Sequence, residues 1–153
     1  MKNLIITIRQ TPDEIALIHY IYLMVQTKPC IFCTLPLSRI LDTNQFGVVI
    51  RDGYPISLGH TLVIPKRHVG SFFELMPEEA SEVMSLLRRA KSVLDNEFKP
   101  QGYNIGINDG VAAGQTVPHL HIHLIPRYSN DRADPRGGVR WIIPEKADYW
   151  STS

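Results

Sequence analysis

Three histidines alternate with aliphatic residues in the second half of the chain, at His119, His121 and His123. Successive side chains of a β-strand point to opposite faces, so the three imidazoles are predicted to share one face of a strand. The aliphatic face can pack in a core, whereas a buried row of imidazoles needs a ligand or polar partners. Near pH 7 a neutral imidazole can act as a nucleophile, a general base or a metal ligand. The pattern therefore predicts a strand over residues 117–125 that lines a polar cleft.

A loop rich in glycine and alanine precedes this strand and contains Gly106, Gly110 and Gly114. It ends at Gln115 and Thr116. Glycines let the backbone approach a ligand closely, and successive N–H groups can bind an anion. Because such loops are also common as ordinary turns, the loop predicts a phosphate site only together with the histidines that follow it.

A second apolar segment, residues 60–64, begins at His60 and is stopped by a proline. It is short and β-branched, as strands are. If it pairs antiparallel with the histidine strand, His60 lies near His121 and His123. The sequence therefore predicts a cluster of three histidines contributed by two neighbouring strands.

The two cysteines of the chain form a Cys-x-x-Cys pair, Cys30 and Cys33. A redox pair is disfavoured because no thioredoxin-like strand and helix pattern follows. A structural zinc site needs four nitrogen or sulfur ligands, and the antiparallel register brings His68 and His119 together to supply two of them. The sequence predicts zinc at these four residues, with a reduced cysteine pair in the core as the alternative.

Further elements must position these groups. Residues 46–50 and 103–107 predict two more strands, and residues 139–144 predict a last short extended piece. A helix is predicted to begin at Pro77, because proline favours the first helical position and two acidic residues follow. Its apolar face recurs at helical spacing: Val83, Leu87, Ala90, Leu94 and Phe98. Together these elements predict an α+β fold, an antiparallel sheet with one main covering helix.

The composition excludes several classes of protein. The 153 residues suit one domain, and the formal net charge of +1 does not indicate a polybasic nucleic-acid binder. The apolar stretch over residues 15–25 is too short to span a bilayer and lacks the cleavage site of a signal peptide. We therefore expect a cytoplasmic protein that binds neither nucleic acid nor a membrane.

The motifs resemble those of the histidine triad (HIT) family, over about residues 28–128. The resemblance rests on three blocks in the family's order: residues 59–68, 114–117 and 119–127. Gly-Gln-Thr-Val before the histidines and Pro-Arg after them are similar to the bacterial and fragile-histidine-triad branches, which hydrolyse dinucleoside polyphosphates.

The resemblance implies a chemistry for the histidines. His121 attacks the α-phosphorus of a nucleotide and forms a nucleotidyl-histidine intermediate, which water hydrolyses. His123 donates to phosphate oxygens and assists the leaving group, and His60 stabilises the same region. The resemblance also gives Gln115 a part in catalysis, as a group that orients phosphate or bridging oxygens.

The resemblance further implies how the substrate is held. Asp52, eight residues before His60, matches the position that contacts the ribose hydroxyls, although aspartate is also a common turn residue. Asn108, Gln115 and Thr116 match positions that bind phosphate. Some family members bind zinc through the equivalents of the two cysteines and two histidines, and no organic cofactor is implied.

Family resemblance also implies a homodimer, paired through the helix and a sheet edge. We expect an N-terminal extension over residues 1–27, the HIT domain over residues 28–128, and a C-terminal segment over residues 129–153 packed near the active site or the dimer interface. The alternatives are a nucleotidyltransferase or phosphorylase using the same intermediate, a nucleotide-binding signalling protein, and a three-histidine zinc hydrolase.

Overall fold

A five-stranded antiparallel sheet forms the frame of the protein in a computed structural model that describes residues 29–151. The predicted extension over residues 1–27 lies outside the described residues. The spatial order of the strands is β1-β2-β3-β5-β4, and every neighbouring pair is antiparallel. The strands are β1 (Ile40–Thr43), β2 (Gly47–Arg51), β3 (Thr61–Pro65), β4 (Gly102–Gly106) and β5 (Ile122–Arg127).

One long helix, α1 (Pro77–Phe98), covers one face of the sheet. Pro77 occupies its first turn, and the Glu79 carboxylate accepts a hydrogen bond from the Met76 N–H at 2.9 Å. Lys99 ends the helix in the left-handed conformation, with φ 51°. The helix buries its apolar side chains against β2, β3 and β5, in a cluster formed by Val49, Val63, Val83, Leu86, Leu87, Ala90, Leu94, Ile122 and Leu124. The predicted helix and the α+β fold are confirmed.

The opposite face of the sheet is covered by the segment that contains the cysteines. Val48, Ile50, Leu62 and Ile64 form a second buried cluster there, and Phe32, Leu35 and Ile40 pack against it. The sequence patterns did not predict β1. Its residues, Ile-Leu-Asp-Thr, lie at a sheet edge, where they are half exposed and form no continuous apolar run.

Two sequence predictions about extended structure were wrong. The histidine strand begins at Ile122, not at residue 117, because the His119 N–H donates to Val117 O and the Leu120 N–H to Val69 O. The predicted extended piece over residues 139–144 lies instead in two short 3-10 helices that are separated by Ile143. It follows Gly137 and Gly138, whose φ angles of 84° and 47° turn the chain.

Short 3-10 helices complete the described chain: Leu37–Arg39, Phe72–Glu74, Val111–Ala113, Gly138–Ile142 and Pro144–Lys146. Across residues 29–151, we find no helix with the length and apolarity needed to traverse a bilayer.

Candidate active site

The pairing of β3 with β5 brings the histidines together. Leu62 lies opposite His123, and Val63 lies opposite Ile122. Directly opposed residues share a face of the sheet, so His123 projects away from α1. His60 precedes β3, and its Nε2 is 3.0 Å from Nδ1 of His123. The predicted register is confirmed.

His121 is held by the backbone two residues before it. Its Nδ1 lies 2.8 Å from the carbonyl oxygen of His119. A carbonyl oxygen only accepts hydrogen bonds, so Nδ1 carries a proton, and in the neutral imidazole Nε2 then has the free lone pair. The ring is 8% exposed, and its centroid is 5.0 Å from that of His123. This arrangement holds the imidazole in one orientation, with the nitrogen that a nucleophilic role would use left without a backbone partner.

His60 and His123 form a hydrogen-bonded pair beside Asp52. The Ile56 N–H donates to Nδ1 of His60 at 3.4 Å, so Nε2 of His60 donates to Nδ1 of His123. Neutral His123 is then left with an N–H at Nε2. One carboxylate oxygen of Asp52 lies 3.4 Å from His60 Nδ1 and 3.8 Å from His123 Nδ1.

The protein interior keeps this pair of histidines neutral. Burial lowers the pKa of His60, against the opposing effect of Asp52. Burial also lowers the pKa of His123 to about 4, with smaller contributions from His121 and His60. At neutral pH His123 is therefore an uncharged hydrogen-bond donor.

A cavity of about 530 Å³ opens in front of the histidines and runs across the strands. At the β5 end its lining includes His121 and His123, together with Asn108 and Thr116 from the glycine loop. Farther along, Asp52 follows β2, and Arg39 precedes β1 at the other edge of the sheet. Apolar side chains line the rest of the wall: Ile31, Phe32, Ile50, Tyr54, Ile56, Leu62 and Ile125. The cavity therefore combines histidines, a carboxylate, an arginine and apolar side chains in one lining.

Asp52 has one carboxylate oxygen in a turn and the other near the histidines. Its Oδ1 accepts from the Tyr54 N–H at 2.8 Å, which is the turn contact expected of an aspartate. The side chain is 14% exposed and lines the cavity. Its predicted contact with ribose stays a prediction, as do the phosphate contacts of Asn108 and Thr116.

Gln115 contacts protein backbone at both ends of its amide. Its Nε2 donates to Gly70 O at 2.7 Å, and its Oε1 accepts from the Gly110 N–H at 2.9 Å. The side chain thus fastens the glycine loop to the loop after β3. Asp109, which the sequence reading missed, strengthens this junction by accepting from Ser71 Oγ at 2.9 Å. Gln115 does not line the histidine cavity, and its catalytic role stays a prediction.

The two cysteines meet His68 and His119 at the other end of the histidine row. The four candidate ligand atoms all lie within 4.8 Å of one another. Nδ1 of His119 is 3.4 Å from Cys30 Sγ and 3.5 Å from Cys33 Sγ, and Nδ1 of His68 is 3.3 Å from Cys33 Sγ. Tetrahedral zinc with its usual bond lengths separates sulfur from nitrogen by roughly 3.6 Å. The donor set therefore fits a zinc ion in type, number and spacing.

His119 has the protonation state that a metal ligand requires. Its Nε2 donates to Pro65 O at 2.8 Å, so Nδ1 carries a lone pair directed at the sulfurs. A backbone carbonyl that orients the second nitrogen is a frequent feature of histidine ligands in metal sites. His119 is fully buried and does not line the cavity.

The C-terminal segment lies beside this cavity. Arg132, Arg136 and Arg140 stack on Trp141, Trp150 and Tyr149 at 4.2, 4.5 and 4.9 Å respectively. A neighbouring cavity of about 470 Å³ includes Arg127 and Arg132 in its lining, and shares Ile56 and Ile125 with the first. Arg132, near the start of the segment, thus lines a cavity next to the histidine site, and the predicted packing of the whole segment near the active site stays a prediction.

Comparison with known proteins identifies close similarities. The family model of the HIT domain matches residues 36–130. An asymmetrical bis(5'-nucleosyl)-tetraphosphatase of Schizosaccharomyces pombe is 47% identical over 68% of this chain and 58% of its own. An AP-4-A phosphorylase of Mycobacterium tuberculosis is 38% identical over 58% of this chain and 51% of its own. The match thus spans only half to three fifths of these two relatives.

Solved structures show the same likeness. The crystal structure of a zinc-bound histidine triad family protein from Mycobacterium smegmatis superposes with a TM-score of 0.62 and 35% sequence identity. The match covers 69% of this chain and 80% of that protein.

Proposed function

The chain belongs to the HIT domain family, and we propose that it hydrolyses dinucleoside polyphosphates or nucleoside phosphoramidates through a nucleotidyl-histidine intermediate. One observation carries the proposal: Nδ1 of His121 donates to the His119 carbonyl, which leaves Nε2 free beside His123. The named activity of the fission-yeast relative agrees with this chemistry.

Catalysis proceeds in two displacements. Nε2 of His121 attacks the α-phosphorus, and the bond from phosphorus to the leaving group breaks. The Nε2–H of neutral His123 donates a hydrogen bond to the departing atom and stabilises the negative charge that develops there. Water then attacks the phosphorus, the bond between phosphorus and Nε2 of His121 breaks, and a nucleoside monophosphate is released, while the proton that the water loses passes to the phosphate or to solvent.

The lining of the cavity suits a nucleotide laid across the strands. The α-phosphate lies at the histidines, where Asn108, Thr116 and, once released from its loop contacts, Gln115 bind its oxygens. Asp52 accepts from the ribose hydroxyls, and the base packs against apolar side chains of the lining. The C-terminal segment 129–153 borders the leaving-group side of the HIT domain, which extends over residues 28–128.

The cysteine and histidine cluster is proposed to hold a zinc ion through Cys30, Cys33, His68 and His119. Support comes from the fit of the donor set and from the zinc-bound relative. Such an ion would cross-link the N-terminal segment to the sheet and contribute folding free energy. Reduced cysteine ligands suit the cytoplasm, which is the proposed location.

A homodimer is proposed through the β4 edge and the adjoining face of α1. β4 ends the sheet, and Ile105 on it is 48% exposed. Beside it an apolar groove is lined by Phe72, Met84, Leu87, Ile107 and Ile122. Light scattering after size-exclusion chromatography should give the mass of two chains, and Ile105→Lys should shift it to one.

Phosphorolysis is the second candidate. The mycobacterial relative is named a phosphorylase. Phosphorolysis would use the same intermediate and differ only in that phosphate, not water, accepts the nucleotidyl group. The Ser/Thr-rich acceptor loops expected of such phosphorylases are not evident in the sequence, so hydrolysis ranks first.

The proposal is tested with diadenosine polyphosphates and adenosine phosphoramidate, comparing the wild type with His121→Ala. Hydrolysis predicts AMP that carries oxygen from ¹⁸O-labelled water, lost by about 10⁴-fold or more in the variant. ADP formed only when phosphate is added would identify the phosphorylase. Cleavage that survives in His121→Ala would disprove the assigned nucleophile.

A further inference from the structure

We propose that the turn formed by residues 30–33, the cysteine turn, positions the nucleophile His121 through Phe32. Phe32, which lies between the two cysteines in the sequence, acts as a positioning residue because its effect on the reaction passes through His121. The inference rests on the proposed role of His121. It connects the cluster of two cysteines and two histidines with the histidine cavity, whose lining includes none of those four residues.

Phe32 forms a direct contact with His121. The two ring centroids lie 5.1 Å apart at an interplanar angle of 59°, and the Phe32 ring also meets the edge of His119 at 5.9 Å. The cysteine turn is tight, because the Cys33 N–H donates to Cys30 O at 3.0 Å. Ligation of both cysteines would therefore fix the phenylalanine between them.

The cysteine and histidine cluster also reaches His121 through His119. His119 is a proposed ligand through its side chain, and its backbone carbonyl accepts the Nδ1–H of His121. Two groups thus restrain His121. The position of the carbonyl depends on His119, and the position of the Phe32 ring depends on the two cysteines. A zinc ion at the cluster would hold the carbonyl and the ring at one separation, so the imidazole keeps the orientation that directs Nε2 into the cavity.

Kinetics can distinguish a Phe32 that positions His121 from a Phe32 that only packs against the base of the nucleotide. Phe32 lines the cavity, and a residue that only packs against the base contributes equally to the ground and transition states. Its loss would raise KM and leave kcat unchanged. Loss of a residue that orients the nucleophile lowers kcat, because small misplacements of reacting groups are costly.

The test uses Phe32→Leu, which keeps apolar bulk but removes the flat ring, and Phe32→Tyr, which keeps the ring. Phe73→Leu is the matched control, since Phe73 is 87% exposed and does not line the cavity. We expect Phe32→Leu to lower kcat about tenfold or more with little change in KM, while Phe32→Tyr and the control stay near wild type. A raised KM with unchanged kcat in Phe32→Leu would overturn the inference.

A second measurement does not depend on activity. Side-chain ¹⁵N spectra at fixed neutral pH should show His121 of the zinc-loaded wild type as one tautomer, with an unprotonated Nε2. Phe32→Leu should bind zinc as tightly as the wild type in a chelator competition, yet show averaged His121 nitrogen signals. Unchanged signals in this zinc-loaded variant would overturn the inference, even if no nucleotide proves to be a substrate and the proposed function fails.

Discussion

The two ends of the histidine row differ in their neighbours. His119 is fully buried, donates to Pro65 O and faces two sulfurs. His123 lies four residues later in the chain. Its side chain is 21% exposed and faces a cavity beside His60. The same residue type thus forms part of a closed donor set at one end and part of an open site at the other. The proposed structural role of His119 and the proposed chemical role of His123 therefore rest on their neighbours and not on the histidine motif itself.

Replacing one histidine at each end of the row should show the largest difference between the proposed catalytic role and the proposed metal-binding role. His123→Asn should lower kcat by about 10²–10³, as expected for one transition-state donor, with full metal content. His119→Asn should lose bound metal. Steady-state kinetics and metal analysis of both variants check this difference, and a loss of zinc in His123→Asn would contradict it.

Removing a ligand from the closed end should lower stability. Cys33→Ser should lose metal and unfold at a lower temperature, because a ligand at about 1,000 times its Kd contributes about 4 kcal/mol. Thr34→Ser, a change at the next residue that keeps the hydroxyl bonded to Cys30 O, is the control. Calorimetry with and without added zinc measures the effect, and equal melting temperatures for Cys33→Ser and the control would argue against a metal site.

The two buried histidines at the cavity, His60 and His123, should make the free energy of unfolding depend on pH. Because the pKa values of His60 and His123 are lowered in the fold, the unfolded chain takes up protons first as the pH falls. Stability is therefore complete above about pH 6.5 and declines towards pH 4, by up to about 1.4 kcal/mol per pH unit for each histidine. Urea unfolding between pH 7.5 and 4.5 should give a shallower decline for His123→Asn than for the wild type. Identical slopes would contradict the burial effect.

The smallest effect is expected at Gln115, which links the glycine loop to the loop that follows β3. Gln115→Ala removes two hydrogen bonds to backbone and should lower the free energy of unfolding by about 1–2 kcal/mol. Its effect on kcat should be smaller than that of His123→Asn, because the side chain already has partners. Chemical denaturation and kinetics measure both. A loss of kcat as large as in His123→Asn, with unchanged stability, would instead favour a direct role in phosphate binding.

Much of this arrangement is predictable from local sequence patterns. Alternation predicted a common face for the histidines, and one antiparallel register predicted both the pairing of His60 with His123 and that of His68 with His119. Pro77 and the helical spacing of apolar residues predicted α1. These features follow from period and pairing geometry, which the sequence encodes directly.

Other features depend on contacts between distant segments. The contact of Phe32 with His121 joins the cysteine turn to β5 across the sheet, and the only local signal was an aromatic residue between two cysteines. Gln115 likewise finds a backbone partner in a distant segment, at Gly70. The strand pairing of β5 starts only at Ile122, because the N–H of Leu120 donates to Val69 O instead. The C-terminal 3-10 helices form where Gly137 and Gly138 turn the chain, which overrides the extended preference of Val139 and Ile142.

The covalent intermediate is the most direct test of the central claim. Wild-type protein mixed with diadenosine tetraphosphate in a single turnover, quenched in alkali and digested for mass spectrometry, should yield a peptide that carries AMP on His121. The adduct should form and decay as AMP is released. Product formation at the full rate with no adduct, or an adduct on another residue, would contradict His121 as the nucleophile.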